Sequence, residues 1–197
     1  MSIEYKFKRL GSIPPHAEDW NLINSNLKQK NKFLEIGVAE GRSVIRTADT
    51  LMTNGSELVC VDPFIDMYFE PEEEFFDHNI SILKTKYPNY KFTKIKATSN
   101  IALSQMILNE DKFDFIYIDA RKFGASVIED FAMSFMVLDV GGILMLDDYY
   151  NDRDQNPIRD SKWAANMLLY QYQNFIQVLF KGKRCIIKKT RNLPLYL

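Results

Sequence analysis

The sequence predicts an α/β protein, a doubly wound and mostly parallel sheet that ends in an antiparallel hairpin at its C-terminal edge. Three observations predict it. Strand-like apolar runs alternate with helical patterns along the chain, as in a parallel sheet covered on both faces. The stretch Phe33-Leu34-Glu35-Ile36-Gly37-Val38-Ala39-Glu40-Gly41-Arg42-Ser43 reads as a buried strand that enters a glycine turn and opens a helix. Acids stand at the ends of four of the first five predicted strands: Glu35, Asp62, Asp119 and the pair Asp147-Asp148. In such a Rossmann-like sheet, ligands bind outside the carboxyl ends of the strands.

The elements follow in order. Residues 18–30 read as a helix before the first strand, 32–36. Gly37 and Gly41 let the backbone bend and a ligand come close. A helix over 43–52 leads to strand 57–61, which ends at Asp62. Residues 72–87 are helical, stopped by Pro88, and 90–96 form the third strand. Thr98-Ser99 cap a helix that runs to 108. Residues 113–118 are a strand apolar on both faces, and 126–138 a helix. Gly141-Gly142 end that unit before a fifth strand, 143–146. After a helix over 161–172 come strands 175–180 and 185–189, joined by the turn Lys181-Gly182-Lys183. No repeat or linker interrupts the pattern. It gives one domain over 1–197, with a helical cap segment over 1–31 and the core over 32–189.

An acid one βαβ unit after a glycine loop is the arrangement that holds an adenosine ribose, here Asp62. The loop reads E-x-G-x-x-x-G, with Val38 and Ala39 where the dinucleotide pattern has closer glycines. That suits an adenosyl ligand without phosphates, since a pyrophosphate needs backbone N–H groups at close range.

Bulk properties narrow the partners. A chain of 197 residues with 46% hydrophobic content and formal net charge −1 is globular, with no overall attraction to nucleic acid or anionic membrane. No apolar run reaches the roughly 20 residues of a membrane helix. The charged residues 1–10 do not read as a signal peptide, and Cys60 and Cys185 read as unpaired residues of separate strands. The expected location is the cytoplasm.

On residues Glu35, Gly37, Gly41 and Asp62, the chain resembles the class I S-adenosylmethionine-dependent methyltransferases. The resemblance covers about 32–189 and includes the closing antiparallel strand. It implies that Glu35, Gly37 and Gly41 surround the methionine part of the cofactor, with Ser43 and Asp119 beside it. It also implies Asp62 on the ribose and Ser99 near the adenine.

Residues 115–122, Phe-Ile-Tyr-Ile-Asp-Ala-Arg-Lys, and 141–149, Gly-Gly-Ile-Leu-Met-Leu-Asp-Asp-Tyr, look like the metal-dependent O-methyltransferases. Asp119 and Lys122 match the catechol and caffeoyl-coenzyme A type. Asp147-Asp148 match the macrocin-type sugar enzymes; the catechol type has Asn in place of Asp148. The resemblance implies a divalent cation, Mg²⁺ first, on Asp119, Asp147 and Asp148. Hard carboxylate oxygens suit such a cation, which would stabilise an alkoxide. It implies catalytic roles for Asp119 and for Lys122 as general base. The acceptor would be a small hydroxylated molecule, a sugar or a secondary metabolite. Asp119-Ala120-Arg121-Lys122 is not the Asp/Asn-Pro-Pro-aromatic motif of the base amino-methyltransferases.

Other readings stay open at this level. A cofactor-binding protein without methyl transfer, or a nucleotide-sugar or nicotinamide enzyme, can share this sheet. Asp147-Asp148 also suit a turn after a strand, and Ser99 a plain cap. His16 lies in a segment able to fold over the cofactor, and His78 is a weaker candidate. Residues 64–76, rich in aromatics and acids, read as a loop and amphipathic helix, a lid or a homodimer surface. Trp163, Ala164, Met167 and Leu168 read as a buried helix face, with Lys162 or Trp163 near the acceptor.

Overall fold

A computed structural model describes residues 4–7, 17–65, 72–120, 123–149 and 161–194. The elements in chain order are α1 (Ala17–Asn26), β1 (Lys32–Ile36), α2 (Arg42–Thr50), β2 (Glu57–Asp62), α3 (Glu72–Lys86), β3 (Lys91–Lys96) and α4 (Ser99–Leu108). There follow β4 (Phe113–Ile118), α5 (Gly124–Val137), β5 (Leu138–Leu146), α6 (Ser161–Gln171), β6 (Ile176–Lys181) and β7 (Cys185–Lys189).

The seven strands form one sheet in the order β3-β2-β1-β4-β5-β7-β6. The first five are parallel, and β7 inserts antiparallel between β5 and β6. This is the expected Rossmann-like sheet with its antiparallel closure. Strand direction alternates side chains between two cores. Leu34, Ile36, Ile116 and Ile118 pack with Phe131 and Phe135 of α5, Leu103 of α4 and Ala164 of α6. Phe33, Phe115, Tyr117 and Met145 face Trp20 of α1, Val44 of α2 and Phe76 of α3. Strands β1 and β4 are buried almost throughout because both faces are covered. The edge strands β3 and β6 are largely polar or exposed, which blunts their unpaired edges.

Four details differ from expectation. Helix α1 stops at Asn26, because the chain is drawn into the sheet just beyond it: Ser56 Oγ donates to the Lys30 carbonyl and Glu57 N–H to that of Asn31. Strand β5 begins at Leu138, directly after α5, so Gly141-Gly142 lie inside it. The β4–β5 register shifts there, between Phe113 and Phe115, and a Cβ on Gly142 would lie 2.9 Å from the Asp139 carbonyl oxygen. The α4 N-cap is Thr98, with Ser99 the first helical residue. The Thr98 side chain does not cap that end, because its hydroxyl donates to Asn100 Oδ1 instead. Trp163 is 61% exposed, while Ala164 and Leu168 of the same helix are buried.

Cys60 and Cys185 are free and buried, with β1, β4 and β5 between their strands. Among the described residues, no helix is long and apolar enough to cross a membrane.

Candidate active site

The sheet order reverses between β1 and β4. The chain works outward from β1 to β3, then returns to β4 and works the other way. The two connections leave on opposite faces there and open a crevice at the carboxyl ends. Hydrogen bonds across the strand ends keep that edge level: Gly37 N–H to the Val61 carbonyl, Asp119 N–H to that of Ile36, and Asp147 N–H to that of Ile118.

The loop after β1 holds three left-handed residues, Gly37 (φ 85°), Ala39 (φ 42°) and Gly41 (φ 86°). Gly37 has no substitute. A Cβ there would lie 2.3 Å from the Asp119 carbonyl oxygen, which real structures do not tolerate. The loop therefore lies directly on the end of β4. Asp62 fixes it from the other side. Its Oδ2 accepts the Ala39 N–H at 2.9 Å and its Oδ1 the Phe64 N–H at 2.7 Å. A carboxylate has about four acceptor positions, so two remain beyond these backbone donors. A third brace was not legible in the sequence. Asn79 of α3, fully buried, donates to the Glu40 and Lys6 carbonyls and accepts the Lys6 N–H. A polar residue on the apolar face of a helix was the available signal.

Glu35 lies beneath this loop, 1% exposed, on the face of β1 that α2 covers. The Thr47 hydroxyl of α2 donates to its Oε1, and Oε2 has no aligned hydrogen-bond partner. Burial pushes its pKa up to about 7; the Ser43 and Thr47 hydroxyls oppose that rise and the Asp119 charge adds to it. Ser43, buried in the first turn of α2, thus serves Glu35. Glu35 braces strand against helix under the loop rather than standing in the open crevice. Ser99 is partly buried at the start of α4, at the carboxyl end of β3.

The strand-end acids of the other half are arranged differently. Asp119 is partly buried at the end of β4, and Asp148 is exposed with φ 51°. Asp147 has a partner at each oxygen. Its Oδ2 accepts the Tyr117 hydroxyl at 2.9 Å, and Arg184 Nε lies 2.9 Å from Oδ1. Arg184 also donates through Nη1 to Asp19 of α1 at 2.8 Å. Asp19 and Arg184 are both under a tenth exposed. Burial opposes the Arg184 charge, but Asp147, Tyr117 and Asp19 outweigh it and raise its pKa. Burial also lifts the Tyr117 hydroxyl well above its ordinary value, helped by Asp119 and Asp147 and opposed by Arg184. Sequence reading missed Arg184, Asp19 and Tyr117. The signal is the hairpin register: Leu146 pairs with Cys185, so one residue further Asp147 faces Arg184.

This arrangement bears on the expected cation. Among the described residues, no group of three His, Cys, Asp or Glu side chains can hold a metal ion. With Asp147 ion-paired to a guanidinium and hydrogen-bonded by a phenol, the trio Asp119, Asp147 and Asp148 does not fit a divalent ion as it stands. Lys122 and His16 lie outside the described residues. His78 has its Nε2 3.1 Å from the Glu4 carbonyl oxygen. Phe64 and Phe76 pack together in the core with ring centroids 5.2 Å apart.

A family model described as a methyltransferase domain matches residues 34–149, from the first strand to just past the Asp147-Asp148 pair. The chain belongs to this methyltransferase family. Solved methyltransferases share its fold. An O-methyltransferase from Bacillus cereus, in complex with S-adenosylhomocysteine, has a TM-score of 0.63 at 19% identity, over 90% of this chain and 83% of its own. An rRNA methylase from Streptococcus thermophilus has 0.64 at 10% identity, over 92% and 99%. MycE of the mycinamycin biosynthetic pathway, in complex with Mg and S-adenosylhomocysteine, has 0.62 at 16% identity, over 91% of this chain and 51% of its own. No curated protein matches the sequence. The sequence expectation of an S-adenosylmethionine-dependent methyltransferase is met at the level of family and fold.

Proposed function

We propose that this methyltransferase transfers the methyl group of S-adenosylmethionine to a hydroxyl oxygen of a small molecule. The observation that carries the reading is the braced glycine loop at the β1–β4 switch, with Asp62 on one side and Asp119 directly behind it. The O-methyltransferase of Bacillus cereus, alike in fold, supports oxygen as the acceptor atom.

The loop backbone from Gly37 to Gly41 would receive the amino-acid end of the cofactor. Asp62 would take the ribose hydroxyls on its remaining lone pairs, and Ser99 would border the adenine. Bound there, the sulfonium supplies an electrophilic methyl group. Asp119 and Lys122 would hold the acceptor hydroxyl in line and take its proton as the oxygen–carbon bond forms and the sulfur–carbon bond breaks. Lys162 and Trp163, at the start of α6, would border the acceptor. Metal assistance through Asp119, Asp147 and Asp148 would require Arg184 to release Asp147. A sugar or secondary metabolite is the preferred acceptor class. The net charge of −1 gives no general attraction to nucleic acid or to a membrane surface.

Calorimetric titration with S-adenosylmethionine, S-adenosylhomocysteine and NAD tests the cofactor assignment. The expected result is micromolar binding of both adenosyl ligands and none of NAD, with at least about a tenfold loss in Asp62→Ala. NAD binding would favour the nicotinamide alternative. Adenosyl binding without turnover of any hydroxylated acceptor would favour a non-catalytic binding protein.

A further inference from the structure

We propose that Arg184 is the resident cation of the acceptor half of the site and frees the enzyme from a divalent metal at Asp147. The inference rests on the reading of the β4 and β5 ends as the acceptor side of a methyltransferase. It deepens that reading by naming a positioning residue and a cation requirement.

The placement follows from the fold. The Lys181-Gly182-Lys183 turn returns the chain into β7, antiparallel to β5. The pairs run from Ile143 with Lys188 to Leu146 with Cys185, and the next step sets Arg184 against Asp147. The strand that closes the sheet therefore delivers a guanidinium to the end of β5. Its Nε lies 2.9 Å from Asp147 Oδ1, and its Nη1 donates to Asp19 at 2.8 Å. Tyr117 takes the other Asp147 oxygen.

Two consequences follow. A Mg²⁺ on Asp147 would need an oxygen at about 2.1 Å and nearly ideal octahedral geometry. Each oxygen already has one partner, and although a lone pair remains on each, the guanidinium 2.9 Å from Oδ1 repels a dication there. Arginine, unlike lysine or histidine, keeps its charge at any working pH. The carboxylate of Asp147 is thus neutralised and oriented from within the chain. The anchor on α1 fixes the guanidinium, because Asp19 holds the nitrogen that Asp147 does not.

The test is calorimetry with two probes, Mn²⁺ alone and S-adenosylhomocysteine with Mn²⁺ or with EDTA. The inference expects no Mn²⁺ binding by the wild type at submillimolar affinity. It expects adenosyl affinity to change less than about twofold between Mn²⁺ and EDTA. Arg184→Met should gain Mn²⁺ binding, because it uncovers Asp147 and Asp19, and Arg184→Lys should not. Submillimolar Mn²⁺ binding by the wild type, lost in Asp147→Asn, would overturn the inference. So would a folded Arg184→Met that remains blind to Mn²⁺. Should Arg184→Met not fold, the wild-type titration and Arg184→Lys decide by the same criteria. Complete failure to bind S-adenosylhomocysteine in any condition would instead strike the function itself.

Discussion

The two halves of the strand-end crevice hold their acids by different means. On the β1–β2 side, Asp62 is fixed by two backbone N–H groups, and the loop above it by the side-chain amide of Asn79. On the β4–β5 side, Asp147 is fixed by an ionic chain that runs through Arg184 to Asp19. The first design occupies one acceptor position on each carboxylate oxygen with a backbone donor and leaves the others unused. The second neutralises a carboxylate and turns it into scaffold. An acid at a strand end is thus not one kind of feature; its partners decide whether it binds a ligand or carries structure.

Gly37→Ala forces a Cβ into the Asp119 backbone in a left-handed conformation. We expect at least about 4 kcal/mol of destabilisation in urea unfolding, and loss of adenosyl binding. A variant of near wild-type stability would mean that loop and β4 do not meet as described. The ionic side comes next. Arg184→Ala leaves one buried and one partly buried carboxylate, Asp19 and Asp147, without their cation and should cost about 3–5 kcal/mol. The companion Asp19→Asn should cost less, because Asp147 stays neutralised. Equal costs in urea would contradict the chain of partners.

Glu35 sharpens the comparison through pH. Its folded pKa, about 7, exceeds the ordinary value of 4.5. Between those values the folded state binds more protons than the unfolded one, so stability falls as pH rises through that window and levels off above it. Glu35→Gln removes the buried charge. It should be more stable than the wild type at pH 8, by about 2–3 kcal/mol, with the difference fading toward pH 5. A constant difference across thermal melts at both values would show that Glu35 does not titrate there.

Lys189 gives the smallest effect, with the opposite sign. It is 3% exposed and donates to the Phe135 and Leu138 carbonyls at the end of α5. Burial lowers its pKa to about 8 from 10.5, with Lys112 adding and Asp139 opposing. As pH rises from 8 toward 10.5 the folded state gives up this proton first, so Lys189 contributes rising stability over that interval. Lys189→Met should flatten that rise in melts between pH 8 and 10, by about 2 kcal/mol.

What the sequence disclosed and what it withheld divide along physical lines. Strands β1, β2 and β4, the loop glycines and Asp62 are local patterns of apolar runs, turn residues and one acid at a fixed distance. The closing hairpin was legible for the same reason. Its register with β5 was not, so the pairing of Asp147 with Arg184, far apart in the chain, could not be read. The early start of β5 was hidden because Gly141-Gly142 mark a turn in most contexts, and here sit at a register shift against β4. Asn79 was hidden because its partners, Lys6 and Glu40, lie on distant segments. Trp163 misled because a large apolar side chain at the right spacing need not face inward.

The most direct test of the central claim is transfer of labelled methyl from S-adenosylmethionine to a panel of small hydroxylated acceptors, with Asp62→Ala and Asp119→Asn as controls. The expected result is labelled product from at least one acceptor, with its methyl on oxygen, and loss of transfer in both variants. Label on nitrogen or carbon alone, or transfer that survives both substitutions, would contradict it.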